Sequence, residues 1–199
     1  MTGLDWGVIS GAQLLAEYEN GNSLRELLPQ VSAVYFWRLK LAPDVSPADT
    51  NGMIRHIERI ARLPQGRFGT ISLSRSLQLD GITVGGSGLP AEKVGTLRAL
   101  ASTRTGARFL WHFLEDLETR IPALYVGETG NLPARVSDHL GGRSDFGAAI
   151  CSDQVLNWRD MTFEFLRTGE AQEDTSERRQ ALEYLATVLT ISNYTRRAG

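Results

Sequence analysis

Residues 124–140, LYVGETGNLPARVSDHL, contain the clearest strand, turn and helix signals in this chain. Residues 123–127 form a short, mostly apolar segment that leads into a turn, which predicts a buried strand. Asn131 is a favoured helix N-cap residue, and the glycines at 141–142 predict the end of a helix that begins near Pro133. The stretch therefore predicts a strand–turn–helix unit, and the rest of the fold is inferred outward from it.

Short strands and separate helices occupy the remaining chain, which predicts an α+β fold. Residues 31–41, VSAVYFWRLKL, are β-branched and aromatic and predict a buried strand, and the alternation in 161–166 predicts another. Residues 70–79 also alternate, and the Asp-Gly pair at 80–81 predicts a hairpin turn into a return strand at 82–84. Apolar periodicity and caps predict helices at 11–28, broken at 20–22, and at 51–63, 90–102, 107–118 and 175–190.

Composition and charge exclude several classes of protein. The 199 residues are 42% hydrophobic and 22% charged with a net charge of −2, which is typical of a globular chain rather than a disordered or fibrous one. The single cysteine, Cys151, excludes an intramolecular disulfide framework and a Cys-rich zinc site. Apolar runs are shorter than the ~18–20 residues that cross a bilayer, and the N-terminus lacks a signal-peptide pattern. We therefore expect no membrane association and a cytoplasmic location.

Several familiar catalytic motifs are absent from the sequence. The loop Gly85-Gly86-Ser87-Gly88 is followed by Leu89, so it does not match a nucleophile elbow. There is no Gly-x-x-x-x-Gly-Lys phosphate loop, and the three histidines form no His-Glu-x-x-His pair. A histidine-rich metal site is therefore excluded.

The helix after the central turn carries residues suited to phosphate chemistry. Arg135 and His139 are four residues apart and so project from one helical face, while Tyr125 lies on the strand that leads into this helix. A guanidinium binds phosphate bidentately, and a phenol and an imidazole can orient water or relay its proton. The alternative interpretation is a packed tyrosine, an exposed arginine and a solvated histidine.

Taken together, these residues resemble the second half of the GIY-YIG nuclease signature, in which a Tyr-x-Gly strand end precedes a helix with an Arg and a more distal His. The resemblance implies an α+β domain with a small three-stranded antiparallel sheet flanked by helices and an active cleft across the sheet. The matching residues are Tyr125, Gly127, Thr129, Asn131, Leu132, Arg135 and His139.

The family also requires a carboxylate on a later helix to hold one divalent metal ion. Glu177 and Glu183 both lie on the predicted helix at 175–190, and Glu177 has a sufficient explanation as part of a capping box with Asp174. Glu183 flanks the apolar stripe and is therefore the predicted ligand of Mg²⁺ or Mn²⁺. Asn193 resembles the asparagine that follows this helix in the family, although a helix C-terminal Asn would look the same.

The first family motif, a Gly-Ile-Tyr strand, is missing from its usual place just before Tyr125. Besides Tyr125, the only tyrosine on a predicted strand is Tyr35, so the resemblance implies that 31–41 is the first strand and pairs with 123–127. Tyr35 is alternatively an ordinary buried aromatic. The implied organisation is an N-terminal helical segment at 1–30, a nuclease core of 31–41 with 120–199, and a subdomain inserted at 42–119.

The inserted subdomain contains most of the excess positive charge. Residues 31–120 carry twelve basic and eight acidic residues, so polyanion binding would use a local arginine face rather than a basic coat. A face that contacts the nucleic-acid backbone and a solvated charged face are equally good interpretations. The candidate DNA contacts are Arg55, Arg59, Arg62 and Arg75, with Arg67 nearby.

The resemblance implies a metal-dependent endonuclease that hydrolyses DNA, and a homodimer if one site per chain cuts both strands. In the implied roles, Tyr35 activates water, His139 relays the proton and Tyr125 orients water and phosphate. Arg135 stabilises the phosphorane, Glu183 holds the metal and Asn193 supports the acid or the phosphate. The alternatives are an inactive nucleic-acid-binding or regulatory module and a protein-interaction subunit.

Overall fold

The computed structural model describes residues 6–62, 71–74, 77–79, 89–153, 156–168 and 175–190. The chain forms two compact units, which we call the sheet unit (1–40 and 121–199) and the inserted unit (41–120). In chain order the strands are β1 (Trp6–Ser10), β2 (Ala33–Leu39), β3 (Ile71–Ser74), β4 (Leu77–Leu79), β5 (Tyr125–Thr129) and β6 (Met161–Arg167). The helices are α1 (Gly11–Glu19), α2 (Thr50–Arg62), α3 (Ala91–Ala101), α4 (Arg104–Glu118), α5 (Leu132–Leu140), α6 (Asp145–Ser152) and α7 (Ser176–Thr190).

The sheet unit is built on a four-stranded antiparallel sheet with the strand order β1-β6-β2-β5. Strand β2 lies between β5 and β6, and Tyr35 on it is opposite both Gly127 and Phe165. The predicted pairing of the strand around Tyr35 with the strand around Tyr125 is therefore confirmed. The α+β class is also confirmed, but the described sheet has one strand more than the three implied by the family resemblance.

The additional strand, β1, corrects the prediction that residues 1–30 form a helical segment. Residues 6–10 pair with β6 from Trp6 opposite Leu166 to Ser10 opposite Thr162. The sequence WGVIS is short and contains a glycine, so its strand conformation comes from pairing with β6 rather than from local propensity. The helix predicted at 11–28 is confirmed as α1 and a single 3-10 turn at Leu24–Glu26, separated by the predicted break.

Helices cover both faces of the sheet, which explains why residues 33–37 of β2 are all buried, whichever face they point to. Tyr35 and Trp37 point to the face covered by α5 and α6, where they join a buried core. Val34 and Phe36 point to the opposite face and pack against Leu182 and other residues of α7. A strand that is buried on both faces has no side that faces solvent, so its apolar residues need not alternate with polar ones.

The inserted unit has its own small core, in which α2, α3 and α4 pack together. Met53 and Ile57 of α2 contact Ala101, Ala107 and Leu110 in this cluster. The predicted helices at 51–63, 90–102 and 107–118 are confirmed within a few residues of their ends. None of the helices in the described ranges has the length and hydrophobicity needed to span a bilayer.

The hairpin of the inserted unit differs from its prediction. The single strand predicted at 70–79 is two strands, because β3 pairs with β4 from Ile71 opposite Leu79 to Ser74 opposite Leu77. The chain therefore reverses before residue 80, and the predicted Asp-Gly turn at 80–81 and return strand lie outside the described residues. Alternation of apolar and polar residues continues through such a reversal, so the pattern did not reveal it.

Candidate active site

Tyr35 lies on β2, and its hydroxyl is the centre of a buried polar cluster. Tyr35 has no solvent-exposed surface, and its Oη lies 2.8 Å from Nε2 of His139. The same oxygen accepts a hydrogen bond of 3.0 Å from Nε of Arg135. A side chain that could have been an ordinary core aromatic is thus hydrogen-bonded to both Arg135 and His139.

Helix α5 supplies both partners of Tyr35 from one face. Asn131 caps the helix by accepting a hydrogen bond from the amide of Ala134, as the sequence predicts. Arg135 and His139 are then one turn apart, and Nη2 of Arg135 also donates to Oη of Tyr125 at 3.4 Å. The structure therefore brings four of the predicted site residues together: Tyr35, Tyr125, Arg135 and His139.

Gly127 makes room for the two tyrosines. A Cβ atom at this position would lie 2.5 Å from Cζ of Tyr35 and 2.7 Å from Cε1 of Tyr125, which is closer than van der Waals contact allows. Because Tyr35 is fully buried and bonded through its hydroxyl to His139 and Arg135, its ring cannot move away without breaking these contacts. The glycine of the Tyr-x-Gly motif therefore has a steric reason in this chain.

We expect Gly127→Ala to destabilise the protein by about 1–3 kcal/mol, because the added methyl overpacks the tyrosine pair. Thermal unfolding measures the loss. Gly130→Ala is the matched control in the same strand–helix connection, since a Cβ there would be 3.7 Å from its nearest neighbour, Nη2 of Arg179. Equal stability of the Gly127→Ala variant and the wild type would contradict the steric explanation.

Burial keeps both Tyr35 and His139 uncharged. Desolvation and the neighbouring Tyr125 raise the pKa of Tyr35 well above its ordinary value, although Arg135 opposes this shift. Desolvation, together with the positive charge of Arg135, lowers the pKa of His139 to about 3. At neutral pH the cluster therefore consists of a phenol, a neutral imidazole and a guanidinium.

Arg135 carries the positive charge of the cluster. Burial disfavours that charge, but the hydroxyls of Tyr35 and Tyr125 raise the pKa of Arg135, so the guanidinium stays protonated. Two of its donors bind the tyrosine hydroxyls. A guanidinium has five N–H groups in total, so this one keeps donors for an anionic ligand.

Glu183, the predicted metal ligand, lies on α7 and interacts electrostatically with the cluster. Burial and the nearby carboxylate of Glu128 raise the pKa of Glu183, whereas the positive charge of Arg135 lowers it. Among the described residues, the Glu183 carboxylate has neither a hydrogen-bond donor nor an ion-pair partner. Glu128 differs, because its carboxylate accepts a hydrogen bond of 2.9 Å from Nε of Arg179.

The surroundings of Glu183 suit a hard divalent cation. Its carboxylate is partly desolvated and close to a second negative charge, so a bound cation would relieve an unfavourable interaction. No group of three or more His, Cys, Asp or Glu side chains arranged for a metal ion occurs in the described part of the chain. Mg²⁺ fits this donor set, because it is often held by one or two carboxylates, water and phosphate oxygens.

The other predicted site residues have different outcomes. Glu177, the alternative acid, is exposed in the first turn of α7. Arg55 and Arg59 are exposed on α2 of the inserted unit. Asn193, Arg67, Arg75 and the side chain of Arg62 lie outside the described residues.

Ser144 and Phe146 belong to the cluster but were not predicted. Oγ of Ser144 lies 2.6 Å from Nδ1 of His139, and the Phe146 ring stacks on Tyr125 with centroids 4.5 Å apart. Both residues come from α6 and its N-cap, an element that the sequence analysis missed. The order Ser-x-x-Gly at 144–147 is a weak N-cap signal that could have located the helix, though not its contact with His139.

Comparison of the chain with protein-family models, with curated proteins and with solved structures finds no match. What the site does is therefore inferred from its own residues and their geometry.

Proposed function

We propose that this chain is a divalent-metal-dependent endonuclease of the GIY-YIG type that hydrolyses DNA phosphodiester bonds. The observation that carries the proposal is the position of the Tyr35 hydroxyl between Arg135 and His139. Glu183 supports it, because its carboxylate is close enough to Arg135 for the two charges to interact. An anion-binding group, a proton acceptor and a cation ligand thus occur together in the sheet unit.

The sheet supports the proposal through the order of its strands. Strands β5, β2 and β6 are neighbours, and β5 and β2 carry Tyr125 and Tyr35 two register positions apart, which places both side chains on the same face of the sheet. We assign these three strands to the GIY-YIG-like core and β1 to an additional edge strand. The residues at 41–120 then form an insertion between the first and the second core strand.

Arg135 binds and stabilises the phosphate in the proposed reaction. Its guanidinium is oriented by the tyrosine hydroxyls and remains charged, so its other N–H groups can bind non-bridging phosphate oxygens. Negative charge increases on these oxygens as water attacks phosphorus. A cation that is already oriented lowers the barrier without having to reorganise during the reaction.

Tyr35 and His139 move the proton of the attacking water. The water oxygen forms a bond to phosphorus and the bond from phosphorus to the leaving oxygen of the sugar breaks, while the water proton passes to Oη of Tyr35. The phenolic proton of Tyr35 passes at the same time to Nε2 of His139, across the observed 2.8 Å contact. The tyrosine is therefore unchanged overall, and His139 holds the proton until it returns through Tyr35 to the leaving oxygen of the sugar.

Substrate binding makes His139 a better proton acceptor. In the free protein its pKa is about 3, first because of burial and second because of the charge on Arg135. A phosphate bound to Arg135 offsets that positive charge and raises the basicity of His139. The imidazole thus gains basicity when a substrate is present.

Glu183 is the residue that would hold Mg²⁺ or Mn²⁺, which acts as a Lewis acid on phosphate oxygens when bound. Glu128 remains paired with Arg179 and contributes negative potential nearby. Tyr125 orients the phosphate or the water through the hydroxyl that also binds Arg135. We retain Asn193 as a proposed supporting residue because of its place after α7 in the sequence.

We further propose that the inserted unit contacts the DNA backbone through α2. Arg55 and Arg59 are exposed on this helix, and Lys and Arg side chains that reach phosphates supply sequence-independent affinity. The described residues form one candidate site, so with one site per chain the cleavage of both strands at one locus would be carried out by a homodimer.

Incubation of the protein with supercoiled plasmid in Mg²⁺, in Mn²⁺ and in EDTA tests the proposed function. We expect nicked or linear DNA with either metal and intact plasmid in EDTA. Binding without cleavage in all three conditions would contradict the nuclease assignment and favour a DNA-binding module. Neither binding nor cleavage would favour a protein-interaction subunit.

Arg135→Lys is expected to reduce the cleavage rate by about 100-fold, because an ammonium keeps the charge but loses the planar set of donors. Arg143→Lys is the matched control. Arg143 is exposed just after α5, where it donates to Asp138 and Ser137 rather than to Tyr35 or Tyr125. Equal rates for the Arg135→Lys and Arg143→Lys variants would remove Arg135 from the proposed mechanism.

A further inference from the structure

Ser144 contacts the candidate active site from outside the motif that predicts the site. Its Oγ lies 2.6 Å from Nδ1 of His139 and also accepts a hydrogen bond of 2.9 Å from the amide of Gly147. The second bond is the ordinary N-cap of α6. The contact with His139 has no role in capping, so the serine both caps α6 and bonds to the histidine.

The hydrogen bonds of Tyr35 indicate which nitrogen of His139 carries the proton. Arg135 can only donate, so Oη of Tyr35 accepts that bond and its own proton needs an acceptor elsewhere. The two candidates are Nε2 of His139, at 2.8 Å, and the neighbouring hydroxyl of Tyr125. The imidazole nitrogen is the stronger base, and the Tyr125 oxygen already accepts from Arg135. Tyr35 therefore donates to Nε2.

An imidazole that accepts at Nε2 and is neutral must carry its proton on Nδ1. Nδ1–H then points at Oγ of Ser144, which accepts it together with the amide of Gly147. His139 is fully buried, so its ring nitrogens depend on these protein partners rather than on solvent. Loss of the serine oxygen would leave a buried N–H group without its acceptor.

We infer that Ser144 is a positioning residue that fixes His139 in the Nδ1–H tautomer, with Nε2 directed at Tyr35 as a proton acceptor. The tautomer itself depends only on the observed contacts. Its catalytic consequence rests on the proposed function, because Nε2 receives the proton of Tyr35 in that reaction. The tautomer of a histidine is generally set by the partner of its other nitrogen.

Two-bond ¹H–¹⁵N NMR spectra of the ¹⁵N-histidine-labelled protein at pH 7 test the inference. The wild type is expected to show the His139 proton on Nδ1. Ser144→Ala is expected to shift the His139 signals towards a mixture of the two tautomers, whereas Ser144→Thr, which keeps the hydroxyl, is expected to preserve the wild-type pattern. A wild-type proton on Nε2, or an unchanged His139 spectrum in Ser144→Ala, would overturn the inference.

Thr103→Ala separates this role from helix capping. Thr103 caps α4 by accepting from the amide of Gly106, in the same Ser/Thr-x-x-Gly arrangement, but it makes no bond to His139. It is expected to leave the His139 spectrum unchanged, and a change equal to that of Ser144→Ala would overturn the inference. If Ser144→Ala folds poorly, the wild-type tautomer and the Ser144→Thr spectrum still test the inference.

Activity measurements distinguish this inference from the proposed function. Ser144→Ala is expected to lower kcat for plasmid cleavage about tenfold at unchanged KM, as is typical when the partner that orients an active histidine is removed. Ser144→Thr is expected to restore kcat. If the wild type does not cleave DNA, the proposed function fails while the NMR result still decides the tautomer.

Discussion

Replacement of Glu183 by Gln is expected to abolish metal-dependent cleavage, with a loss of about 10³-fold in kcat/KM. The amide has nearly the same size as the carboxylate but no negative charge, so it is a poor ligand for Mg²⁺. Several kcal/mol of transition-state stabilisation depend on a bound cation in such reactions, and each 1.36 kcal/mol corresponds to a tenfold change in rate. Plasmid cleavage measures the catalytic loss, and electron paramagnetic resonance of added Mn²⁺ measures binding directly.

The same substitution is expected to raise the melting temperature of the metal-free protein. The Glu183 carboxylate is disfavoured by burial and by the like charge of Glu128, so its neutralisation stabilises the fold. Loss of activity through misfolding would lower the melting temperature instead. The two measurements together therefore identify a residue retained for binding rather than for stability.

Glu177→Gln is the matched control, because Glu177 lies on the same helix but is exposed in its first turn. It is expected to leave cleavage and Mn²⁺ binding unchanged.

Acid is expected to mimic the loss seen in Glu183→Gln, since the Glu183 carboxylate must be ionised to hold a cation. Mn²⁺ binding should weaken as pH falls through a pKa above the ordinary value of 4.5. Equal Mn²⁺ affinity of the wild type and Glu183→Gln would show that the metal binds elsewhere.

The sequence predicts the candidate site better than it predicts the sheet around it. The spacing of Arg135 and His139 requires only that α5 be a helix, and its cap and its glycine terminator are local signals. The partnership with Tyr35 was implied by the family resemblance, which calls for a tyrosine on a first strand, and Tyr35 is the only other tyrosine on a predicted strand. The helix prediction thus needed only local patterns, whereas the Tyr35 prediction needed the resemblance as well.

The errors arose where the structure depends on contacts between distant segments. Strand β1 forms because β6 offers an edge, and nothing in the five residues WGVIS indicates that partner. Helix α6, with the sequence DFGAAICS, is short and contains a glycine, so its periodicity is weak. Ser144 was missed for the same reason, since its contact with His139 exists only when α6 packs beside α5.

The sequence pattern also did not predict which polar side chains are buried. His139 at the fourth position after Arg135 was equally consistent with a solvated side chain. Its burial follows from the aromatic rings around it, including those of Trp37, Tyr125 and Phe146. Trp37 lies on a different strand and more than eighty positions before the other two residues, so only the folded sheet brings all three rings around the imidazole.

Because His139 is buried, the free energy of unfolding is expected to fall in acid by roughly 4–5 kcal/mol. The folded state resists protonation of this imidazole until pH about 3, whereas the unfolded chain takes up the proton at the ordinary pKa of 6.5. Between these values the unfolded state binds more protons, so stability falls as pH falls. The contribution of His139 is complete above pH 6.5, and about 2 kcal/mol of it is lost by pH 5.

Urea unfolding of the wild type and of His139→Gln between pH 7 and pH 4.5 measures this contribution. Glutamine cannot titrate, so the pH slope of the unfolding free energy is expected to be smaller in the variant by up to about 1.4 kcal/mol per pH unit. Carboxylates contribute equally to both proteins and cancel in the difference. His112→Gln is the control, because His112 is exposed on α4 and bonds only to Glu115 within the described residues.

Identical pH slopes in the wild type and His139→Gln would show that the folded protein protonates His139 at its ordinary pKa, so that the hydrogen bond from Tyr35 to Nε2 would be lost in mild acid without a cost in stability. A cluster that accepts an imidazolium next to Arg135 would place two positive charges together without a counterion from Tyr35 or Ser144. The stability measurement therefore tests the same neutral histidine on which the proposed proton transfer depends, and it does so without substrate or metal.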